Sequence, residues 1–558
     1  MNLPLSATVP ASGARLSRLW SKGLRVAMVA VPLTGLALFF LYPLAVIAFR
    51  SLLDGDGRVG LANYAALWQA PDIIQSAWHS VVLSVATTMV SIVLGFLIAF
   101  TLYRSRLPAA NAIRATLLLP MLAPSLMQGL GILFLLGRNG LVHQWTGWDV
   151  EIYGFWGLLI SDVIYALPQA VLIIGAALAQ SDARQYDAAN VLGATRRQQF
   201  FALTLPNAKF GLLSAAFVVF TVTITDFGNA VVIGGDYHVL ATEIYSQVSG
   251  QMNFSMGSAV GIVLLLPSLA SVYIERIASQ RQFGSASESR VPVTPSANRT
   301  RDALLGLACL VALFPVVAAV ATVVFASFVH LWPYKLDLTL ANYRGELSGG
   351  YGAIATSLEI SAAAAALGVC LLFALSYGAR RMPGAVSRLI YTAAVLPAAV
   401  PGMVIGLAYI LAFNSGPLGA WLYGSATIIV LCNFYHYHTQ GFLAMSTGMR
   451  AVPGALEEVV DCLGGGLRHT LKDAVLPFVA PTAVSVFFFL FMRSMVTLSA
   501  VVFLVTPSLN LASVAVMQLD ENGFVSQAAA YSTCIMVVTS IALGMMRLCA
   551  KRLAAVTG

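Results

Sequence analysis

Charge is scarce in this chain: Asp, Glu, Lys and Arg together make up only 10% of its 558 residues. Soluble proteins carry about 25%. A large water-soluble core is therefore a poor reading, and a mean hydropathy of +0.83 points the same way. Lysine is rarer still. There are five, and none follows a glycine. That excludes a G-x-x-x-x-G-K-[ST] phosphate loop, so the chain cannot itself be an ATPase of that kind. The six cysteines (Cys309, Cys370, Cys432, Cys462, Cys534, Cys549) are scattered over the second half. They show neither metal-ligand spacing nor a disulfide framework and read as packing residues. No serine triad or paired-carboxylate motif occurs, so no enzyme is expected. No small-residue cleavage site obviously follows the first apolar run, which is expected to stay as an uncleaved helix.

What is present is length and apolarity. Runs of about 20 apolar residues, enough to cross roughly 30 Å of hydrocarbon as helix, recur from end to end. The expected fold is an all-α polytopic membrane protein with about twelve spans: 25–49, 79–103, 115–137, 154–178, 210–232, 257–275, 303–328, 353–377, 389–412, 424–446, 482–505 and 527–546. With the N-terminus in the cytoplasm, the inner segments hold 25 of the lysines and arginines and the outer loops hold 5. This bias places both termini inside. The basic residues are dispersed rather than clustered on one face, which argues against a nucleic-acid groove.

The chain repeats itself. LANY at 61–64 returns at 340–343, and RSRLP at 104–108 corresponds to ARRMP at 379–383. LPMLAPSLMQG, 119–129, corresponds to LPAAVPGMVIG, 396–406. Prolines at these points interrupt a helix whose freed carbonyls need neighbours. The Ser/Pro-rich stretch 276–302 reads as a flexible linker. The expected organisation is a cytoplasmic segment 1–24, a first domain 25–275, the linker, a second domain 303–546 and a tail 547–558. Each domain has an even number of spans, so the two would be parallel repeats with a pathway between them.

A polar, glycine-punctuated device also occurs twice. DAANVLGATRRQQFFALTLP spans 187–206 and EVVDCLGGGLRHTLKDAVLP spans 458–477. Asp187 is expected to open a short helix, where a carboxylate suits the positive dipole end. Ala188 and Ala189 give a small contact surface. Gly193 permits a turn, and Pro206 is expected to stop a second short helix before the next span. The corresponding residues are Glu458, Val459, Val460, Gly464, Leu476 and Pro477, with Leu205 preceding Pro206.

These two stretches resemble the EAA loop (E-A-A, three residues, G, nine residues, I-x-L-P) of inner-membrane permeases of binding-protein-dependent ABC importers. The spacing is intact in both copies. Asp187 replaces the Glu, Val459 and Val460 replace the alanines, and Leu203 and Ala474 replace the Ile. The resemblance implies a permease with two parallel six-helix repeats in a bacterial inner membrane. It implies as partners a homodimeric ATP-binding subunit, whose two grooves take the two loops, and a periplasmic solute-binding protein. ATP and Mg would be used by the partner, and no cofactor by this chain. The fused arrangement resembles a subgroup handling ferric iron, thiamine or 2-aminoethylphosphonate, and residues 225–267 look most like permeases assigned to the phosphonate.

Polar groups within spans are candidates for the pathway. They are Asp162 with its counterpart Asn433, Asp226 with its counterpart Thr497, and Arg493; Asp226 and Arg493 are the favoured pair. Gln169 pairs likewise with Gln440, and Glu359 lies early in the eighth span. Each of these could equally be a helix-to-helix hydrogen bond. His436 and His438, two apart on a helix, point about 200° apart and suit packing better than a shared metal. His436 and Gln440 share a face. Two other classes fit less well: an ion-gradient carrier, which would have no use for paired docking loops, and a membrane enzyme, which would need a cluster of acids, histidines or nucleophiles.

Overall fold

The computed structural model describes residues 11–283, 290–295, 297–344 and 350–557. Residues 1–10 of the expected N-terminal segment, and 284–289 and 296 of the expected linker, lie outside the described residues. Among the described residues, ten helices are long and apolar enough to cross a membrane, or up to twelve if two bent pairs are each one span. The chain is an all-α polytopic membrane protein. Among the described residues there is one small sheet, a hairpin of Val329–Leu331 against Lys335–Leu338, which was not expected from the sequence.

Close packing follows from small residues at helix crossings, where backbones can approach. A Cβ on Gly95 of helix Pro71–Arg104 would lie 3.0 Å from Ala170 Cβ of helix Phe155–Ala179. In the second half, a Cβ on Gly368 would press into Leu490 and Phe434. Four hydroxyls in Pro71–Arg104 turn onto the preceding turn: Ser80 to Ser76 O (2.8 Å), Ser84 to Ser80 O (2.6 Å), Thr88 to Ser84 O (2.7 Å) and Thr101 to Leu97 O (2.7 Å). Their protons are thus donated inside the helix.

The repeated LANY segments do the same work. Asn63 Nδ2 donates to Ser51 O (2.9 Å) and Leu53 O (2.7 Å), and Asn342 Nδ2 donates to Ser327 O (3.1 Å) and Val329 O (2.7 Å). Tyr64 and Tyr343 then join their hydroxyls to Ser51 Oγ and Ser327 Oγ. Further along, Leu240 N donates to Ser80 Oγ and Ala512 N to Ser357 Oγ, both at 2.8 Å. One asparagine in each copy satisfies two carbonyls at a helix end, and one serine receives the start of a later short helix.

Several span limits differ from the hydropathy reading. The third expected span is broken: Ala110–Leu118 and a tight turn Leu119–Leu122 give way at Pro124 to Ser125–Leu136. The ninth is bent by 102° between Gly384–Ala399 and Gly402–Phe413. The tenth splits at Tyr437 into Ala426–His436 and His438–Arg450. The fifth and eleventh end at Ile224 and Val496, not at 232 and 505. The cause at the fifth is a local polar bond: Asp226 Oδ2 accepts from Asn229 N (2.9 Å) and turns the chain into the short helix Gly228–Ile233. Apolar composition continues past that point, but the direction does not.

The described part of the linker is tied down. Val291 O accepts from Ala183 N (2.9 Å), Arg290 donates to Gln180 O (3.0 Å), and Arg106 Nε donates to Pro295 O (2.7 Å).

One packing detail recurs with its partners exchanged. Gly228 sits against Ser125, where a Cβ would overlap Ser125 Oγ. Gly402 sits against Ser499 in the same way. In the repeat alignment Ser125 corresponds to Gly402 and Gly228 to Ser499. Each crossing therefore holds one serine and one glycine, but on opposite strands of the contact. Overfilling such a site costs about 1–3 kcal/mol. Gly402→Ser should lower the thermal unfolding temperature of the purified chain, and adding Ser499→Gly, which reproduces the first-half pairing, should recover most of the loss. A double variant no better than the single would show that the two sites are not coupled.

Candidate functional site

A cavity of about 400 Å³ lies where the broken helices and the ends of the fifth and eleventh spans converge. The first half contributes Ser125, Tyr165, Asp226 and Glu275, and the second contributes His436, Tyr437, Arg493 and Thr497. Asp226 is held by Asn229 N and by the Ser125 hydroxyl. Arg493 stands over the Tyr437 ring, 4.9 Å from its centroid, and makes an electrostatic contact with the Tyr165 hydroxyl. Thr497 Oγ1 donates to Tyr437 OH (2.8 Å). Among the described residues no carboxylate lies within ion-pair distance of Arg493, so its charge and that of Asp226 both face the cavity.

The sequence-derived candidates divide into two layers. Asp226, Arg493 and Thr497 line the cavity, as do Gln169 and Gln440. Asp162 and Asn433 stand behind its wall. Asp162 accepts from Asn229 Nδ2 (2.8 Å), and Asn229 Oδ1 in turn receives Gly129 N (3.0 Å). Asn433 donates to Ser494 Oγ (2.7 Å). Glu359 is exposed on Gly352–Arg381, away from the cavity lining. His438 is buried, with Nδ1 3.1 Å from Ala394 O and its ring stacked on Tyr435 and Phe442. His436 lines the cavity, and its buried Nδ1 has no partner. Among the described residues no group of three or more metal-ligating side chains converges. Sequence reasoning missed Tyr165 and Glu275. Glu275 fell at the edge of an expected span, although helix Phe254–Phe283 carries it well inside.

The two repeated loops form a second site. In each, a nine-residue helix, Ala183–Val191 or Gly454–Cys462, ends on a glycine at φ +76°, Gly193 or Gly464. The bonds Ala194 N to Ala189 O (2.9 Å) and Gly465 N to Val460 O (2.8 Å) close both ends as Schellman turns. A left-handed residue is required there, which explains glycine in both copies.

Two expectations about these loops are corrected. Asp187 does not open its helix. Asp182 does, accepting from Arg184 N (3.0 Å), and the Arg184 guanidinium holds the Asp182 carboxyl down at about 2. Asp187 lies mid-helix and exposed, as Glu458 does in its copy. Pro206 does not stop the second short helix, because Arg196–Ile224 is continuous. A wide π turn, Phe200–Thr204, precedes the proline, and another, Thr470–Val475, precedes Pro477. The extra residue in such a turn relieves the clash a proline ring would make with an α-helical carbonyl. Of the other loop residues, Ala188, Val459, Leu476 and Pro206 are exposed, while Ala189, Val460 and Leu205 are half-buried.

The anchors of both loops lie one residue before the motif acid. Glu457 is buried and receives Arg381, Arg380 (3.3 Å) and Tyr377 OH (3.4 Å). Tyr186 holds the equivalent place, with the Arg104 guanidinium 5.2 Å above its ring and its hydroxyl 2.9 Å from Thr204 Oγ1. Neighbours on a helix point about 100° apart. The anchor therefore faces the protein and the motif acid faces outward, beside Val191, Leu192 and Leu463, which are 88%, 85% and 82% exposed. Glu457→Gln should remove charge-assisted bonds worth about 1.5–3 kcal/mol. Hydrogen exchange over 454–466 should then rise by about tenfold or more while 183–195 serves as the unchanged control. Equal exchange in both loops would remove the anchoring role.

Comparison with known proteins agrees with this geometry. Residues 91–284 match the family of binding-protein-dependent transport system inner membrane components. A Haemophilus influenzae protein named for ferric transport as a permease is 29% identical over 485 residues, 84% of this chain and 76% of its own length. The ferric transport system permease of Actinobacillus pleuropneumoniae is 28% identical over 90% of this chain and 74% of its own length. The thiamine transport system permease of Brucella abortus is 26% identical over 67% of this chain and 68% of its own length. Residues 91–284 thus carry the sequence pattern of binding-protein-dependent transport system inner membrane components, and the chain along most of its length is similar to permeases named for ferric and thiamine transport.

Proposed function

We propose that this chain forms the whole transmembrane passage of an ATP-driven importer in a bacterial inner membrane, with both termini cytoplasmic. Residues 25–275 and 303–546 act as two parallel six-helix repeats around the central cavity. A periplasmic binding protein delivers the cargo, and a homodimeric ATP-binding subunit works the two loops. Motif residues Asp187, Ala188, Ala189, Gly193, Glu458, Val459, Val460 and Gly464 present the docking surface, and Leu205–Pro206 and Leu476–Pro477 carry its movement into the fifth and eleventh spans. Closure of the ATPase dimer would then swing both halves and switch the side on which the cavity opens. The observation that carries this reading is the pair of glycine-ended helices with outward acids and exposed apolar tips. A single chain with two such helices suits a partner with two grooves.

For the cargo, ferric iron stands ahead of 2-aminoethylphosphonate. Two relatives that match 84% and 90% of the chain are named for ferric transport, and one that matches 67% is named for thiamine transport, whereas the phosphonate reading rests on residues 225–267 alone. The cavity supports a cargo of mixed charge. Asp226 and Glu275 offer hard oxygen donors of the kind that suit hard cations, and Arg493 offers a cation to an accompanying anion.

Gly193→Val with Gly464→Val forces β-branched residues into a left-handed backbone at a cost of about 1–3 kcal/mol each. Neither glycine has an atom within 4 Å of its would-be Cβ, so the loops rather than the spans should deform. The double variant should reach the membrane at the normal level, lose the co-purifying ATPase and lose uptake. Retained uptake would defeat the docking role. The cargo is tested separately in vesicles holding the complete complex, by uptake of radiolabelled ferric iron with 2-aminoethylphosphonate as competitor. Absence of iron uptake together with uptake of labelled 2-aminoethylphosphonate by the same vesicles would put the phosphonate ahead of iron.

A further inference from the structure

A second cavity, about 530 Å³, lies between residues of the two halves. One wall is the segment from Leu107 to Thr116, at the start of the first broken helix. The other is the outer face of helix Arg299–Ser327, from Ala303 to Val317. Leu107, Ile113, Leu310 and Phe314 give it an apolar lining, and Thr116 is its one hydroxyl. On the second wall, Ala303, Gly306, Leu307, Leu310, Phe314 and Val317 follow the spacing of a single helical face. Leu107 fills the notch left by Gly306, with a Cδ 3.0 Å from where a Cβ would stand. The slot is therefore built from both halves and is not merely the outside of one helix.

Its mouth is basic. Arg299 lies one turn before Ala303, on the same helical face, and is exposed. Arg106 immediately precedes Leu107 and is exposed. The bond from Arg106 N to Asp302 Oδ2 (3.4 Å) draws the two walls together at this end. Asp302 is engaged by Arg301 at 2.8 Å. Arg106 uses Nε on Pro295 O, which leaves the other guanidinium N–H groups of its fork for a further acceptor.

We propose that this slot is a site for one anionic phospholipid, with an acyl chain between the 107–116 and 303–317 walls and its phosphate at Arg106 and Arg299. The occupant follows from the combination of features. An apolar slot in a membrane-spanning chain, with arginines at the mouth on the side where lysine and arginine predominate, matches a lipid with a negative headgroup. A neutral lipid would match the slot but not the mouth. A soluble anion would match the mouth but not the slot.

The test uses the full-length chain in nanodiscs of phosphatidylethanolamine with a minor fraction of phosphatidylglycerol, one of the two bearing a photoreactive acyl chain. Adducts mapped by mass spectrometry should fall within 107–116 and 303–317, at least threefold more often from phosphatidylglycerol. Ala112→Trp, at an exposed position on the slot wall, should suppress those adducts. Arg106→Gln with Arg299→Gln should keep the adducts but abolish the preference for phosphatidylglycerol. Equal labelling by the two lipids in the unaltered chain would overturn the proposal, as would labelling that ignores Ala112→Trp. Adding free glycerol phosphate at millimolar concentration should leave the pattern unchanged, and displacement by it would mean that the mouth is a soluble-anion site instead.

Discussion

Inside hydrocarbon a backbone carbonyl without a partner costs several kcal/mol, so every break in a spanning helix must be answered by a side chain. The architecture around the cavity depends on those answers. At the first break, Gln128 Nε2 donates to Pro120 O (3.1 Å), and Thr539, on the last helix of the second half, reaches Leu122 O. At the second, Ala394 O is met by His438 and Thr439 (both 3.1 Å), and Thr439 also lies 3.2 Å from Val395 O. The prolines open the helices, and these few polar side chains allow the openings to persist. Because Thr539 crosses between halves, part of the answer is shared across the molecule.

The same bonds set the cavity's charge. Asp226 turns the chain at the end of its span by accepting Asn229 N, and in doing so it points a carboxylate at the space between halves. Its counterpart Thr497 instead binds Tyr437. The cation enters from the other half, where Arg493 stands in the place Val222 occupies in the first. Two copies of one plan thus produce a cavity that is acidic on one side and basic on the other. Duplication supplies the walls, and divergence at three or four positions supplies the polarity.

Much of this was visible in the residues. Apolar runs located the helices, the recurrent LANY and proline segments located matching joints, and glycine spacing located both loops. The favoured pair Asp226 and Arg493 were found as charges inside apolar runs. What escaped had a common cause: a contact partner distant in the chain. Hydropathy continues through 225–232 and 497–505, so it overran both span ends, where one local hydrogen bond or a turn decides direction. Tyr186 and Glu457 share a role but no chemistry, so comparison of the copies could not single them out. Asp162 and Asn433 were read as polar groups within apolar runs, yet whether such a group faces the cavity or a neighbouring helix depends on where Asn229 and Ser494 come to rest. The His436–His438 spacing put the two rings on different faces, but both were read as packing residues, and that His436 meets the cavity was not legible from it.

The unlike roots of the two loop helices carry one more consequence. One is seated by an aromatic face under a guanidinium, the other by a carboxylate wedged between two arginines. Glu457 is buried, so dissolved ions screen its seat only weakly, and the difference between the two seats is one of chemistry and geometry. A motor built from two identical subunits would then pull on levers of unequal stiffness. The symmetry of the engine would not be inherited by the gate.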